Sequence, residues 1–153
     1  DAHSFNRRAL CESLQASNPK IARLYSDPAQ GHLLIEEQVR ALVETSVKDP
    51  RPLAEARLTF QQWLCLGKAH MPAGTFDNLW KFVERMNRVR NNLAHSAEFA
   101  DFDQKVDSLI KFYAEDGFTH ANTARDRASR LRTTLALVCG ILHGMAQAIS
   151  SCK

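Results

Sequence analysis

The feature that most limits the fold of this chain is an apolar stripe at helical spacing in residues 79–96. Spacings of four, three, four and three separate Leu79, Val83, Met86, Arg90 and Leu93. This pattern is typical of the buried face of a helix that packs on other helices. Because Arg90 occupies one of these positions, the stripe predicts an arginine in the core seam. A guanidinium there needs a partner or must reach back to solvent.

The remainder of the chain also predicts helices. Gly and Pro number only 6 and 5, and no long run alternates apolar and polar residues, so strands are not expected. We therefore predict a single all-α domain, a compact bundle of about five to seven helices. Besides the helix of residues 79–96, the expected segments are a helical extension over 1–26, helices at 27–48 and 53–67, one through Phe102 that ends near Asp116, and a long C-terminal helix at 123–150.

Composition sets only broad limits on function. The 153 residues carry 20 Lys+Arg against 17 Asp+Glu, a formal charge of +3. This balance permits a nucleic-acid partner without requiring one, because such a footprint depends on local clustering. The 4 cysteines share no metal-type spacing and no signal peptide is recognised. We therefore expect a reduced, cytoplasmic protein without a membrane span.

Several kinds of catalytic site are not predicted. The 6 histidines lie in separate segments, without a His-Glu-x-x-His or Cys-x-x-Cys pattern, so we expect no metal. The glycines are isolated and form no phosphate loop, and no Gly-x-Ser-x-Gly turn occurs. The sequence thus predicts no metal and no cofactor.

One compact set of side chains has the chemistry of a catalytic site: Arg90, Asn91 and His95. RNA carries its own nucleophile, the 2′-hydroxyl, and its cleavage needs a proton-transfer group with a pKa near neutrality, as in histidine. It also needs positive charge beside the phosphate, which a planar guanidinium supplies. Asn91 would orient the ring or hold a phosphate oxygen. Periodicity alone equally permits an ordinary bundle helix with a snorkelling Arg90 and a solvated His95.

Basic side chains precede this set on the same helix. Lys81, Arg88 and His95 recur at a spacing of seven, with Arg85 beside them. Such a stripe could follow a phosphate backbone, although a solvated face interrupted by an acidic residue explains it as well. The predicted RNA contacts are Lys81, Arg85, Arg88 and Asn92. A second arginine cluster, residues 125–132, allows either an RNA contact or ordinary exposure.

The segment Arg90-Asn91-Asn92-Leu93-Ala94-His95 after an apolar helix resembles the Arg-x4–6-His signature of HEPN-domain proteins. The resemblance covers residues 27–116, which would form a four-helix core. It implies a metal-independent endoribonuclease of the kind found in toxin–antitoxin and anti-phage systems, whose transesterification leaves a 2′,3′-cyclic phosphate. It also implies a homodimer with a composite cleft, and it allows for an antitoxin protein as a partner.

Two features complicate that resemblance. Many HEPN toxins have an aromatic residue two positions after the histidine, and here that position is Ala97. The chain is similar also to the mannitol-operon repressor family, which has an Arg-Asn-x-x-Ala-His-like segment after a similar helix pair. That resemblance implies a non-catalytic regulator that binds a protein partner. A line of small residues in the C-terminal helix fits either internal packing or a subunit interface.

Overall fold

The computed structural model describes residues 28–95, 102–115 and 126–152, and within them it confirms an all-α bundle. The predicted extension over residues 1–26 lies outside the described residues. Those described form six helices and no strand. The helices are α1 (Pro28–Ser46), α2 (Arg51–Glu55), α3 (Phe60–Ala69), α4 (Asp77–His95), α5 (Phe102–Glu115) and α6 (Arg127–Ser151).

Helix α1 lies at the centre of this bundle and touches α3, α4 and α6. Its apolar residues repeat at spacings of three and four, so that one side of the helix is continuously apolar. Ile35, Val39, Leu42 and Val43 are completely buried there. The same core includes side chains of α3, α4, α5 and α6. Burial of this face, more than intrinsic helix propensity, stabilises a helix of this length.

The prediction of one helix over residues 53–67 is wrong, because the segment forms two helices. Helix α2 ends at Glu55, and Arg57 adopts a positive φ of 47° that no helix can continue. Helix α3 then starts with a capping box. The Thr59 side chain accepts a hydrogen bond from the backbone N–H of Gln62, whose side chain accepts one from the N–H of Thr59. This reciprocal pair fixes a new helix start.

Helix α6 starts later than predicted, at Arg127, because Asp126 caps it. The Asp126 carboxylate accepts a 2.8 Å hydrogen bond from the backbone N–H of Ser129. By length and composition α6 could cross a membrane, yet 56% of its most apolar window is buried inside the bundle. Of its line of small residues, Ala136 and Gly140 are buried, Gly144 is partly buried and Ala148 is exposed. The first half of this line therefore packs within the chain.

An arginine clamp joins α5 to α6. Arg127 donates to both carboxylate oxygens of Asp107 at 2.9 Å and lies 2.8 Å from a carboxylate oxygen of Asp103. These hydrogen bonds from Arg127 hold the pKa of the Asp107 carboxyl below its usual range. Arg127, part of the arginine cluster considered as an RNA contact, is thus already paired with two carboxylates.

Gly31 of α1 lies against Leu135 of α6, and this contact leads to a stability prediction. A Cβ on Gly31 would lie 2.5 Å from Cδ1 of the buried Leu135. We expect Gly31→Ala to lower the free energy of unfolding by about 1–2 kcal/mol, because overpacking outweighs the gain in helix propensity. Gly67→Ala is the matched control, since its Cβ would meet the Trp80 ring at 3.3 Å. Urea denaturation that ranks Gly67→Ala as the more damaging change would contradict this prediction.

Candidate functional site at the end of helix α4

Helix α4 buries the first part of the predicted stripe but exposes its arginine. Leu79, Val83 and Met86 are at most 2% exposed, as the spacing predicts. Arg90 is exposed, whereas Val89, one position earlier, is buried. Arg90 is therefore not enclosed in the core seam, and its side chain reaches solvent, one of the two outcomes expected for a guanidinium on this stripe.

The physical reason is a change of neighbour along α4. At about 100° per residue, Arg90 lies only about 20° from the direction of Leu79, so it remains near the centre of the stripe. The final turns, however, pack toward α5, where Val89 and Leu109 line the same groove. The buried direction rotates from Leu79 to Val89, and Arg90 is left exposed.

Arg90 and Asn91 form a local pair. An Nη1–H of Arg90 donates a 3.1 Å hydrogen bond to Oδ1 of Asn91, and both side chains are exposed. Among the described side chains, no carboxylate pairs with Arg90. An anionic ligand of this guanidinium would therefore not have to displace any of the described carboxylates. Helix α4 extends to His95, but the His95 side chain lies outside what the structure describes.

A buried histidine, which the sequence analysis did not select, lies beneath this pair. His32 on α1 is 1% exposed, and its Nε2–H donates to Oδ1 of Asn87 on α4 at 3.2 Å. Its ring packs edge-on against Phe60 of α3, with centroids 4.7 Å apart. His32 thus connects three helices, and Asn87 lies one turn before Arg90. Because it is buried, His32 can position this end of α4 but cannot itself touch a macromolecule.

The surroundings of His32 favour its neutral form. Burial lowers the pKa of His32, and the nearby positive charge of Arg90 lowers it further, while Asn87 and Glu36 oppose the shift. Nδ1 has no hydrogen-bond partner and lies 3.9 Å from a carboxylate oxygen of Glu36. That carboxylate is already bound by Arg40 at 2.6 Å. The neutral ring with its hydrogen on Nε2 therefore satisfies Asn87 without a buried charge.

The structure brings together three of the four predicted RNA contacts. Arg85, Arg88 and Asn92 line one groove between α4 and α5. Lys81 lies away from it, beside the turn before α4, where it lines a separate cavity with Lys68 and Glu84. The predicted stripe is therefore divided between two surfaces.

This α4–α5 groove has a volume of about 450 Å³, within the range of ligand sites in proteins. Its described lining consists of cationic, neutral polar and apolar side chains and contains no carboxylate. The lining residues are Arg85, Arg88, Val89, Asn92, Gln104, Lys105, Ser108 and Leu109. Arg85 is held in place because its guanidinium lies 3.7 Å from the centre of the Phe112 ring.

Sequence reasoning missed both His32 with Asn87 and the α5 side of the groove. For His32 a signal existed, since it precedes Ile35 and Val39 at spacings of three and four and so falls on the buried stripe of α1. Asn87 likewise follows Val83 by four. For Gln104, Lys105 and Ser108 there was no local signal, because their role depends on how α5 docks against α4.

The described residues contain no group of three or more His, Cys, Asp or Glu side chains that could hold a metal ion. Comparisons with protein-family models, curated proteins and solved structures found no match to this chain. From its fold and site geometry, the protein is an all-α bundle with an exposed Arg-Asn pair beside a basic groove.

Proposed function

We propose that the protein is a metal-independent endoribonuclease of the HEPN type, with Arg90, Asn91 and His95 as its catalytic residues. The observation that carries the proposal is the exposure of Arg90. A position near the centre of an apolar stripe is normally occupied by an aliphatic residue, and an arginine there is normally paired with a carboxylate. This one is exposed beside Asn91, as a phosphate ligand would require.

The proposed chemistry divides two tasks among these residues. His95 removes the proton from the 2′-hydroxyl, and a proton passes from the ring or from solvent to the leaving 5′-oxygen. Imidazole suits this task because it titrates near neutral pH. The 2′-oxygen attacks the adjacent phosphorus, the bond from phosphorus to the 5′-oxygen breaks, and a 2′,3′-cyclic phosphate remains. Arg90 stabilises the charge on the equatorial oxygens, and Asn91 keeps its guanidinium oriented.

A homodimer is part of this proposal. Arg90 and His95 are five residues apart on one helix, so their directions differ by about 140°. A two-fold axis beside the end of α4 would let each site use the arginine of one subunit and the histidine of the other. Light scattering should then report a dimer at micromolar concentration, and a persistent monomer would remove the composite site from the proposal.

The biological setting we propose is the cytoplasm, in a toxin–antitoxin or anti-phage role, with an antitoxin protein that restrains the nuclease. The basic groove next to the site supports an RNA substrate, because its cations have no carboxylate partner among the described residues and can attract a phosphate backbone. A regulator similar to the mannitol-operon repressor family is the competing function, in which the same helix end binds a protein.

The decisive experiment is incubation of antitoxin-free protein with transfer RNA and total RNA in EDTA. We expect cleavage that persists without divalent metal and fragments that end in a 2′,3′-cyclic phosphate. The His95→Ala protein, purified identically, serves as the control for contaminating nucleases. Intact RNA with the wild-type protein would favour the non-catalytic regulator.

A further inference from the structure

The α4–α5 groove has a chemistry of its own, apart from the catalytic set. Arg88, Asn92 and Lys105 are exposed within it. Neither Arg88 nor Lys105 is paired with a carboxylate among the described residues. Together with Arg85, three exposed cations line the groove, and the described side chains of its lining include no carboxylate.

The reason for this imbalance lies in the two faces of α5. Its acidic side chains Asp103 and Asp107 are four residues apart and both engage Arg127 of α6. Its opposite side contributes Lys105 and the hydroxyl of Ser108 to the groove. The clamp on α6 thus keeps these two carboxylates away from the groove, so the described side chains that line it are cationic or neutral.

The groove also has the features of a pre-formed site. Stacking on Phe112 limits the movement of Arg85. The buried side chains Val89 and Leu109 form an apolar floor, against which the aliphatic stems of Arg88 and Lys105 can lie. Hydrogen-bond donors on both helices surround that floor, an arrangement suited to phosphate oxygens.

We infer that the α4–α5 groove binds the phosphodiester backbone of a single-stranded nucleic acid and leads it to Arg90 and Asn91. Asn92 belongs both to the groove and to the hexad, so the two surfaces are continuous. The direction of the strand toward Arg90 rests on the proposed function, whereas the affinity of the groove for phosphates does not. A free mononucleotide presents the same chemistry, and the test separates the two.

The test measures binding without cleavage. A fluorescein-labelled single-stranded RNA of about 12 nucleotides is titrated with the full-length His95→Ala protein, and its anisotropy is followed at several salt concentrations. Arg88→Gln and Lys105→Gln are each added to this background. Arg57→Gln and Lys48→Gln, at exposed positions outside the groove, provide the matched loss of one positive charge.

We expect Arg88→Gln and Lys105→Gln each to weaken binding about fivefold, the two together about twentyfold, and the controls less than about twofold. Each groove variant should also lower the slope of log affinity against log salt by about 0.7. The groove variants should bind single-stranded DNA of the same sequence more weakly by the same factors, because RNA and DNA share the phosphate backbone.

Groove variants that bind RNA as tightly as the matched controls would overturn the inference. The inference would also fail if Arg88→Gln left RNA affinity unchanged but weakened the binding of AMP, followed by NMR. That result would assign the groove to a free nucleotide. If wild-type protein leaves RNA uncut in EDTA but Arg88→Gln still weakens binding, the catalytic proposal fails and the groove stands.

Discussion

His95→Ala should lower the rate of RNA cleavage by about 10²–10⁴-fold, the usual contribution of one general acid–base group. The loss should appear in the chemical step, under single-turnover conditions with protein in excess, while RNA affinity changes little. His143→Ala is the matched control, because it removes an exposed imidazole from α6 without altering α4. Equal cleavage by the two variants would exclude His95 as the proton-transfer group.

The Arg90 variants test the second half of the same site. Arg90→Ala should cost about 10²–10³ in rate, by analogy with a lost oxyanion donor. Arg90→Lys keeps the charge but lacks the planar fork, so it should restore only part of that rate. Because Arg90 is exposed, both changes should alter the free energy of unfolding by no more than about 0.5 kcal/mol. A large loss of stability would instead indicate a structural role for the hexad.

Much of the fold could be predicted because its helices have a regular apolar period. Helix α1 was expected at residues 27–48 and occupies Pro28–Ser46. The break before α3 was missed even though the Thr59–Gln62 capping pair is visible in the sequence. Local hydrogen bonds there override a pattern that looks continuous when only apolar residues are counted.

The candidate site was harder to predict because it depends on tertiary neighbours. Helical projection placed Arg90 correctly in angle but assumed that the same elements cover α4 along its entire length. Near Val89 the neighbour is α5, so the buried direction turns. His32 and Asn87 are 55 residues apart. Periodicity can place each of them on a buried face, but it cannot pair them.

His32→Ala should be among the most destabilising single changes in the protein. It removes a ring that is 1% exposed, leaves a cavity beside Phe60 and deprives Asn87 of its hydrogen-bond partner. Together these effects should lower the free energy of unfolding by about 2–4 kcal/mol. His143→Ala, at an exposed position, should change it by less than about 0.5 kcal/mol. Urea denaturation measures both.

His32→Phe separates the volume of the ring from its hydrogen bond. Phenylalanine nearly fills the same space against Phe60 but cannot donate to Asn87. The remaining loss should be about 0.5–1.5 kcal/mol, the net contribution of a typical hydrogen bond, because Asn87 is only half-buried and water can partly replace the lost donor. If His32→Phe is as stable as the wild type, the bond to Asn87 contributes little and packing alone explains the position.

The pH dependence of stability gives the sharpest test of the neutral ring. The pKa of His32 is lowered in the folded protein by burial and by the charge of Arg90. In the unfolded chain it takes up its proton near pH 6.5. Stability from the neutral ring is therefore complete above about pH 6.5 and is lost as the pH falls toward the lower folded pKa, because the unfolded state binds more protons there.

Wild-type stability should thus fall by up to about 1.4 kcal/mol per pH unit below pH 6.5 relative to His32→Phe, which has no proton to take up at this position. The charged groups around the ring are Glu36 on α1 and Arg90 on α4. In Arg90→Gln the repulsion of the imidazolium disappears and the folded pKa of His32 rises, so the loss should begin at the same pH but be smaller in total. Parallel curves for wild type and His32→Phe between about pH 8 and pH 5 would show that His32 ionises equally in both states, against the burial and the Arg90 charge that favour its neutral form.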